Sequence, residues 1–218
     1  MIDARHPFRD TEPVDLSSGP VPLAPTLDPE VRAALAAIKK RRRLLDSEVY
    51  HRHEQALLEL TYALQHQPAV RPSASERRDF VRVVSWNIER GLRLDKLGAF
   101  LSQHEDLRHL DVLTLNEVDV GMARSGNRHV AAELADLLGF GYVFGNSYLC
   151  LDFGDARDGV KAAENRESLH GNAILSRFPL RRAESFSIAI TRDKFQSSEK
   201  RLGHKKALWA EVDTPLGI

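Results

Sequence analysis

The sequence has a single cysteine, Cys150, no long apolar run and no excess of charge of either sign. One cysteine excludes an intramolecular disulfide framework and favours a reducing compartment. No segment approaches the ~18 apolar residues of a membrane span, and the N-terminus lacks the apolar core of a signal peptide. The 31 basic side chains equal the 31 acidic ones, so net charge argues neither for nor against a nucleic-acid partner. We therefore expect a cytoplasmic protein without stable membrane insertion.

The 218 residues are enough for one domain with an appendage. Residues 1–27 are rich in proline and lack apolar periodicity, which predicts an extended or disordered tail. An Asp-Pro pair then opens residues 28–67, where a stripe of apolar residues at helical spacing predicts a helical extension. This extension is expected to be one long helix or a tight helical pair. Residues 68–78 read as a linker, and a larger domain is expected over 79–218.

The most informative stretch is a strand, an amphipathic segment and a second strand. The first strand reads FVRVVSWNIERG and stops at Asn87, the second reads DVLTLNEVD and stops at Glu117, and residues 94–107 between them have helical spacing. Such a crossover makes the strands parallel, so both end at the same edge of the sheet. We therefore expect Asn87 and Glu117 to lie together where open α/β sheets place ligands. Amide and carboxylate oxygens suit a hard divalent cation such as Mg²⁺.

The rest of the chain alternates short elements with polar loops. We expect a helix capped by Asn127 and closed by Gly139, and a long polar loop over 145–170 that is either functional or disordered. A charged loop is expected over 191–203. The predicted strands are 142–144, 171–176, 185–190 and 207–212.

Four motifs in this order, SWNIERG, LNEVD, HGNAILSRFPL and KKALWAEV, resemble the endonuclease/exonuclease/phosphatase superfamily, the deoxyribonuclease I-like fold. The resemblance covers residues 80–218 and implies an α/β fold of the α+β type. It implies the first half of a four-layer α/β-sandwich, preceded here by the helical extension. It also implies metal-dependent hydrolysis of a phosphate ester, with Mg²⁺ as the cofactor and Mn²⁺ as a substitute.

The resemblance also assigns site residues. Glu117 matches the principal metal ligand, and Asn87 matches its neighbour, which binds metal or the scissile phosphate. His170 falls where family members present a phosphate-contacting side chain, and Asn172 follows it on the same rim. Arg124, on the loop after Glu117, could clamp a phosphate or could be an ordinary surface arginine. The structural alternatives for Glu117 and Asn87 are a capping carboxylate and an Asx-turn.

The end of the sequence suggests an incomplete family domain. Residues 214–217 read as a hairpin turn with only Ile218 beyond it. The family's D-x-N motif and its aspartate–histidine pair, which supply acid-base chemistry, do not appear after GNAILS. We therefore expect a front part of a longer protein, without turnover alone. The substrate stays open between nucleic acid, a phospholipid head group and a small phosphoester.

Two rival functions use the N-terminal part. In one, the helical stripe over 30–67 mediates self-association or partner binding, and the chain is a non-catalytic interaction module. In the other, the basic run 39–43 brings the enzyme to a membrane surface, although such a short run is more often a solvated helix face.

Overall fold

The computed structural model describes residues 12–70, 79–154, 158, 164–188 and 193–217. Within these ranges, helices and a mixed sheet build an α+β fold, which confirms the predicted fold class. The helices are α1 (Pro29–Ala37), α2 (Arg41–Leu45), α3 (Glu48–Tyr62), α4 (Leu94–Gln103) and α5 (Val130–Leu138). The strands are β1 (Val14–Asp15), β2 (Leu64–Gln67), β3 (Val83–Arg90), β4 (Val112–Val120), β5 (Gly141–Cys150), β6 (Leu169–Ser176), β7 (Leu180–Ser187), β8 (Arg201–Gly203) and β9 (Lys206–Val212).

The main sheet has the order β2-β5-β6-β4-β3, and β8 also pairs with β5. β3 and β4 are parallel and α4 lies between them in sequence, so the predicted strand–helix–strand crossover is confirmed. One face of this sheet packs against the helices through a continuous apolar core that includes Leu101, Leu115 and Leu134. The motif GNAILS lies in the buried strand β6, as predicted.

A second, smaller sheet of order β1-β7-β9 covers part of the other face of the main sheet. Leu16, Ile174, Leu180 and Ala183 form the apolar contact between the two sheets. On the same face, the outer strand β3 stays open, since Val83 is 60% exposed. The layers are therefore helices, main sheet and small sheet.

The tail predicted over 1–27 was expected to be extended or disordered, and the disordered alternative is wrong for the described residues 12–27. β1 pairs with β7, Leu16 is buried between the sheets, and Val21 forms a bridge with His66. Backbone pairing and two or three anchoring apolar side chains order this proline-rich stretch, and neither leaves a periodic pattern in the sequence. Residues 1–11, and residues 71–78 of the predicted linker, lie outside the described part.

The prediction of one long helix or a helical pair over 28–67 is also wrong. The stretch contains three helices, separated where Ile38 and Lys40, and then Ser47, adopt extended backbone, and it ends in β2, an edge strand of the main sheet. The apolar stripe continues through Leu64, so its spacing did not reveal the change from helix to strand. The stripe residues Leu35, Leu57 and Leu60 pack into the chain's own core, and Leu45 packs against it while partly buried. None of the large exposed apolar side chains of the described residues lies between 30 and 67.

The predicted long loop over 145–170 begins later than expected. β5 runs to Cys150 and is buried along its whole length, so it carries no alternation of apolar and polar residues that would mark it as a strand. β6 begins at Leu169, which places His170 inside a strand. No helix in the described ranges is long and apolar enough to cross a membrane.

Candidate metal edge at the bulges of the main sheet

The ends of the two parallel strands are interrupted by β-bulges at the predicted site. Asn87 of β3 is the register partner of Asn116 of β4, and pairing resumes at Arg90 and Val118, so β3 carries one extra residue. The pairing of β4 with β6 is interrupted at the same level, between Leu115 and Val118. Bulges re-aim side chains and are frequent next to active sites. The strands were predicted to end at Asn87 and Glu117, but both continue past these residues, and the bulges bend them there.

Glu117 lies in this bulge with an unusual backbone conformation. Its φ is +57°, a region that costs a residue with a Cβ about 1–2 kcal/mol. Leu115 and Val118 both pack in the helix-side core, although residues three apart in a regular strand face opposite ways. The bulge therefore accommodates one extra residue in β4, so that the half-exposed Glu117 lies outside that core.

Asn87 is exposed and forms a local turn. Its Oδ1 accepts a hydrogen bond from the backbone N–H of Glu89 at 3.0 Å, and Glu89 and Arg90 both have positive φ. This is the Asx-turn that the sequence left open as the alternative to metal binding. A carbonyl oxygen has two lone pairs, so the turn leaves Oδ1 able to accept a second partner.

Asn172 lies on β6 at the same level. Its neighbours Gly171 and Ala173 pair with Val118 and Leu115, so Asn172 stands opposite the bulge that contains Glu117. Its Nδ2 donates to the carbonyl of Lys206 at 2.8 Å, which ties it to β9 of the small sheet. Three of the predicted site residues, Asn87, Glu117 and Asn172, therefore share one row across β3, β4 and β6.

His170 lies two residues before Asn172 and is paired with Asp119. The two are register partners on β6 and β4, and His170 Nδ1 is 2.7 Å from Asp119 Oδ1. Burial lowers the pKa of His170 more than Asp119 raises it, so the neutral ring donates Nδ1–H to the carboxylate. Because Nδ1 carries the proton of the neutral ring, Nε2 can only accept a hydrogen bond. His170 therefore cannot donate the predicted hydrogen bond to a phosphate.

The assignment of Arg124 to phosphate binding does not agree with its position. The guanidinium is fully buried and holds Asp119 with two nitrogens, Nε at 2.6 Å from Oδ2 and Nη2 at 2.9 Å from Oδ1. Its Nη1 lies 2.6 Å from Glu199 and 3.3 Å from Asp158. Because all three nitrogens of the guanidinium contact carboxylates and the side chain is fully buried, Arg124 is not presented to a phosphate.

Two acidic partners of Arg124, Asp119 and Glu199, have lowered pKa values. Burial alone would raise the pKa of Asp119, but hydrogen bonds from Arg124 and His170 hold that pKa below its ordinary value. Burial likewise opposes the charge on Glu199, and the hydrogen bond from Arg201 with the nearby Arg124 lowers its pKa to about 2. The cluster is thus a set of buried charges that compensate one another.

Sequence reasoning missed three residues of this region. Asn116 faces Asn87 directly, and the dipeptide Asn-Glu could have indicated it. Asp119 is the last residue of the motif LNEVD, but the motif alone did not indicate a role for it. Glu199 lies far away in the sequence, and no local pattern connects it with Arg124.

The oxygen donors of the row fit one kind of metal better than others. No cluster of three or more His, Cys, Asp or Glu side chains that could hold a metal occurs in the described ranges. Zinc sites need three or four such ligands, whereas Mg²⁺ keeps several waters and takes one or two carboxylates with substrate phosphates. Glu117 and the amide oxygens of Asn87 and Asn116 are of the second type.

Comparisons with known proteins agree with the motifs. Residues 84–202, more than half of the chain, match the family model described as Endonuclease/Exonuclease/phosphatase family. No curated protein and no solved structure matches the chain significantly.

Proposed function

Because this chain belongs to the endonuclease/exonuclease/phosphatase family, we propose that it supplies the metal edge of a Mg²⁺-dependent phosphate-ester hydrolase. Family membership supports phosphoester hydrolysis in general, and enzymes of the family generally use divalent metals. The observation that carries the proposal is the half-exposed carboxylate of Glu117, presented at positive φ from a bulge beside Asn87 and Asn116. Mn²⁺ would substitute for Mg²⁺ at such a set of oxygen ligands.

In this proposal each residue of the row has a separate task. Glu117 holds the cation, and Oδ1 of Asn87 contributes a further oxygen to the cation or to its water shell. Asn172 orients a phosphate oxygen or a metal-bound ligand from the neighbouring strand. When bound, the cation polarises the phosphoryl oxygens and offsets negative charge in the transition state.

His170 and Asp119 would manage a proton. Asp119 accepts Nδ1–H and fixes the tautomer, so Nε2 of His170 is the atom that can take a proton from an attacking water. The lowered pKa of His170 keeps the ring neutral at neutral pH, as a proton acceptor requires. This role replaces the phosphate contact that the motif position suggested.

The first test is metal binding, because it does not depend on turnover. Mn²⁺ titration of the purified chain, followed by electron paramagnetic resonance, should give a dissociation constant that Glu117→Gln weakens at least about tenfold. The matched control is Glu105→Gln, which neutralises an exposed carboxylate next to α4 and should bind Mn²⁺ like the unaltered chain. Equal Mn²⁺ affinity in the Glu117→Gln variant would overturn the assignment.

A second test concerns the reaction. A panel of nucleic-acid, phospholipid and small phosphoester substrates, with Mg²⁺ and with chelator, would identify the substrate class. Hydrolysis that is unchanged by Glu117→Gln or by chelation would show that another site is responsible. The cytoplasmic location stays a prediction.

The rival function as an interaction module receives less support. The apolar stripe of α1 and α3, which would mediate self-association, is buried in the chain's own core. Residues 64–67 are a strand of the main sheet, so we propose that residues 28–67 belong to the same folding unit as β3–β9.

A further inference from the structure

Three connections of the chain meet beside the candidate metal edge. The β4–α5 connection contains Arg124, the β5–β6 connection contains Asp158, and the β7–β8 connection contains Glu199. Their described residues are 121–129, then 151–154, 158 and 164–168, and finally 188 and 193–200. The second and third connections overlap the loops that the sequence predicts over 145–170 and 191–203.

Some contacts join these connections in pairs. Gly121 O accepts from the N–H groups of Arg166 and Ser168, which joins the first connection to the second. Lys200 N donates to Asp152 Oδ2 at 2.6 Å, which joins the second to the third. Each of these contacts joins only two connections, and none involves a residue of β3 or β4.

The side chain of Arg124 lies in the first connection and contacts residues of the other two at once. Its guanidinium binds Asp119 on β4 with two nitrogens, and its Nη1 reaches Asp158 at 3.3 Å and Glu199 at 2.6 Å. All of these side chains are at least 93% buried. The fork shape of a guanidinium allows this, and a lysine ammonium cannot reproduce two parallel bonds to one carboxylate.

Arg124 and its three carboxylate partners also contact residues next to the candidate site, on β6 and on β3. Asp119 also holds His170, so a shift of Arg124 moves the partner of the candidate proton acceptor. Arg90, which follows the bulge of β3, lies 3.3 Å from Asp158. Gly154 has φ of +115°, and a Cβ there would come within 2.7 Å of Asp158 Oδ2 and 3.2 Å of Arg124 Cδ.

We propose that Arg124, with Asp119, Asp158 and Glu199, is a clasp that fastens the three connections in one arrangement around the metal edge and thereby sets substrate specificity. Arg124 is a positioning residue in this proposal, since its side chain is fully buried and each of its three nitrogens contacts a carboxylate. The specificity part rests on the proposed hydrolase function, whereas the fastening of the connections does not.

Hydrogen exchange tests the fastening without any activity. Arg124→Lys keeps the charge and removes the fork, so peptides from the described parts of all three connections should exchange at least about tenfold faster together. The control is Arg128→Lys, in the same β4–α5 connection, because Arg128 pairs with Asp95 and Glu133 of α4 and α5. That control should leave the β5–β6 and β7–β8 connections unchanged. Faster exchange confined to 121–129 in Arg124→Lys would overturn the clasp.

A second variant covers the case in which Arg124→Lys does not fold. Glu199→Gln removes one carboxylate from the clasp and keeps its size, so Arg124 and Asp119 stay paired. Exchange should then rise in 193–200 and also in 121–129. A rise in 193–200 alone would show that Glu199 serves its own connection only.

Ligand selectivity distinguishes positioning from a general loss of stability. Dissociation constants are measured with Mg²⁺ for inorganic phosphate and for thymidine 5′-monophosphate, which adds a nucleoside that could contact the connections. In Arg124→Lys their ratio should change at least about fivefold while the phosphate value moves less than about twofold. Equal weakening of both would refute the specificity role. If neither ligand binds the unaltered chain, the proposed hydrolase function fails, and the exchange pattern alone decides the clasp.

Discussion

Asn87 and Asn116 face each other across the parallel strands β3 and β4, and Glu117 follows Asn116 with a φ of +57°. Glu117 therefore has a backbone conformation that favours glycine or asparagine. A strained residue persists only where the surrounding structure holds it, and strain of this kind is frequent at functional sites. A substitution that relieves this strain should therefore raise stability and at the same time remove the proposed metal ligand.

Glu117→Gly should raise the free energy of unfolding by about 1 kcal/mol, because glycine adopts positive φ without the Cβ penalty. The same substitution should abolish Mn²⁺ binding. Urea denaturation measures the first effect, and Glu117→Gln is the control, since it keeps the Cβ and should leave stability unchanged. A Glu117→Gly variant less stable than Glu117→Gln would show that the backbone conformation is not strained.

Lys206 should make stability rise with pH above neutrality. It lies in β9 with Nζ donating to the carbonyls of Thr61 and Asn146 and 3.7 Å from the Tyr62 ring centroid. Burial lowers its pKa to about 7 from 10.5, so between these values the unfolded chain binds a proton that the folded chain does not. Stability contributed by this group therefore increases with pH, by about 2 kcal/mol from pH 7 to 9.

The measurement compares urea denaturation of the unaltered chain and Lys206→Met at pH 7, 8 and 9. Methionine fills a similar volume and does not titrate, so the difference in unfolding free energy between the two proteins should grow with pH in favour of lysine. A difference that stays constant over this range would mean that the buried ammonium keeps its proton.

His129 should also make stability rise with pH, but on the acid side of neutrality. It caps α5, with Nδ1 accepting from Ala132 N at 3.2 Å and Nε2 bonded to Gln65 of β2. Burial lowers its pKa to about 4, below the unfolded value of 6.5. Protonation therefore favours the unfolded chain, and up to about 3 kcal/mol of stability is lost as pH falls from 6.5 towards 4.

His129→Asn separates the cap from the titration. Asparagine is a good N-cap and carries no titratable proton, so this variant should be less sensitive to pH between 6.5 and 5 than the unaltered chain. Thermal unfolding followed by circular dichroism measures both slopes. Identical slopes would assign the acid sensitivity to other groups.

The helix α5 also shows what local sequence could and could not predict. Its end at Gly139 follows from the spacing of its apolar residues and from turn chemistry, and this end is found in the structure. Its cap was predicted at Asn127, but that residue has φ of +56° and bonds across to Glu164 and Arg166. His129 takes the cap because its ring is held by residues distant in sequence, which no local propensity encodes.

The candidate site divides in the same way. Asn87, Glu117 and Asn172 could be predicted to lie together, because strand order and ordered motifs indicate which residues share a row of the sheet. Arg124 could not be placed correctly, since its burial depends on Glu199 and Asp158, which approach only after folding. Short motifs thus indicate where the chemistry lies, whereas long-range charge pairs must be read from the structure.

Gly171, in the motif GNAILS, should tolerate no side chain. A Cβ at this position would lie 2.1 Å from the carbonyl oxygen of Gly145 and 3.1 Å from Cα of Asn146, both backbone atoms of β5. The pairing of β5 with β6 shifts between Asn146 and Tyr148, so a bulge brings the two backbones together there. Gly171→Ala must push β5 away from β6 beside the candidate site.

We expect Gly171→Ala to lower the free energy of unfolding by about 3 kcal/mol or more and to weaken Mn²⁺ binding, because Asn172 moves with its strand. The control is Gly139→Ala, where φ is +69° but no atom lies within 4 Å of the added Cβ. That variant should lose only about 1 kcal/mol and keep its metal affinity. Equal losses in the two variants would mean that β5 yields easily, and that the glycine is required for conformation rather than for the close approach of the two strands.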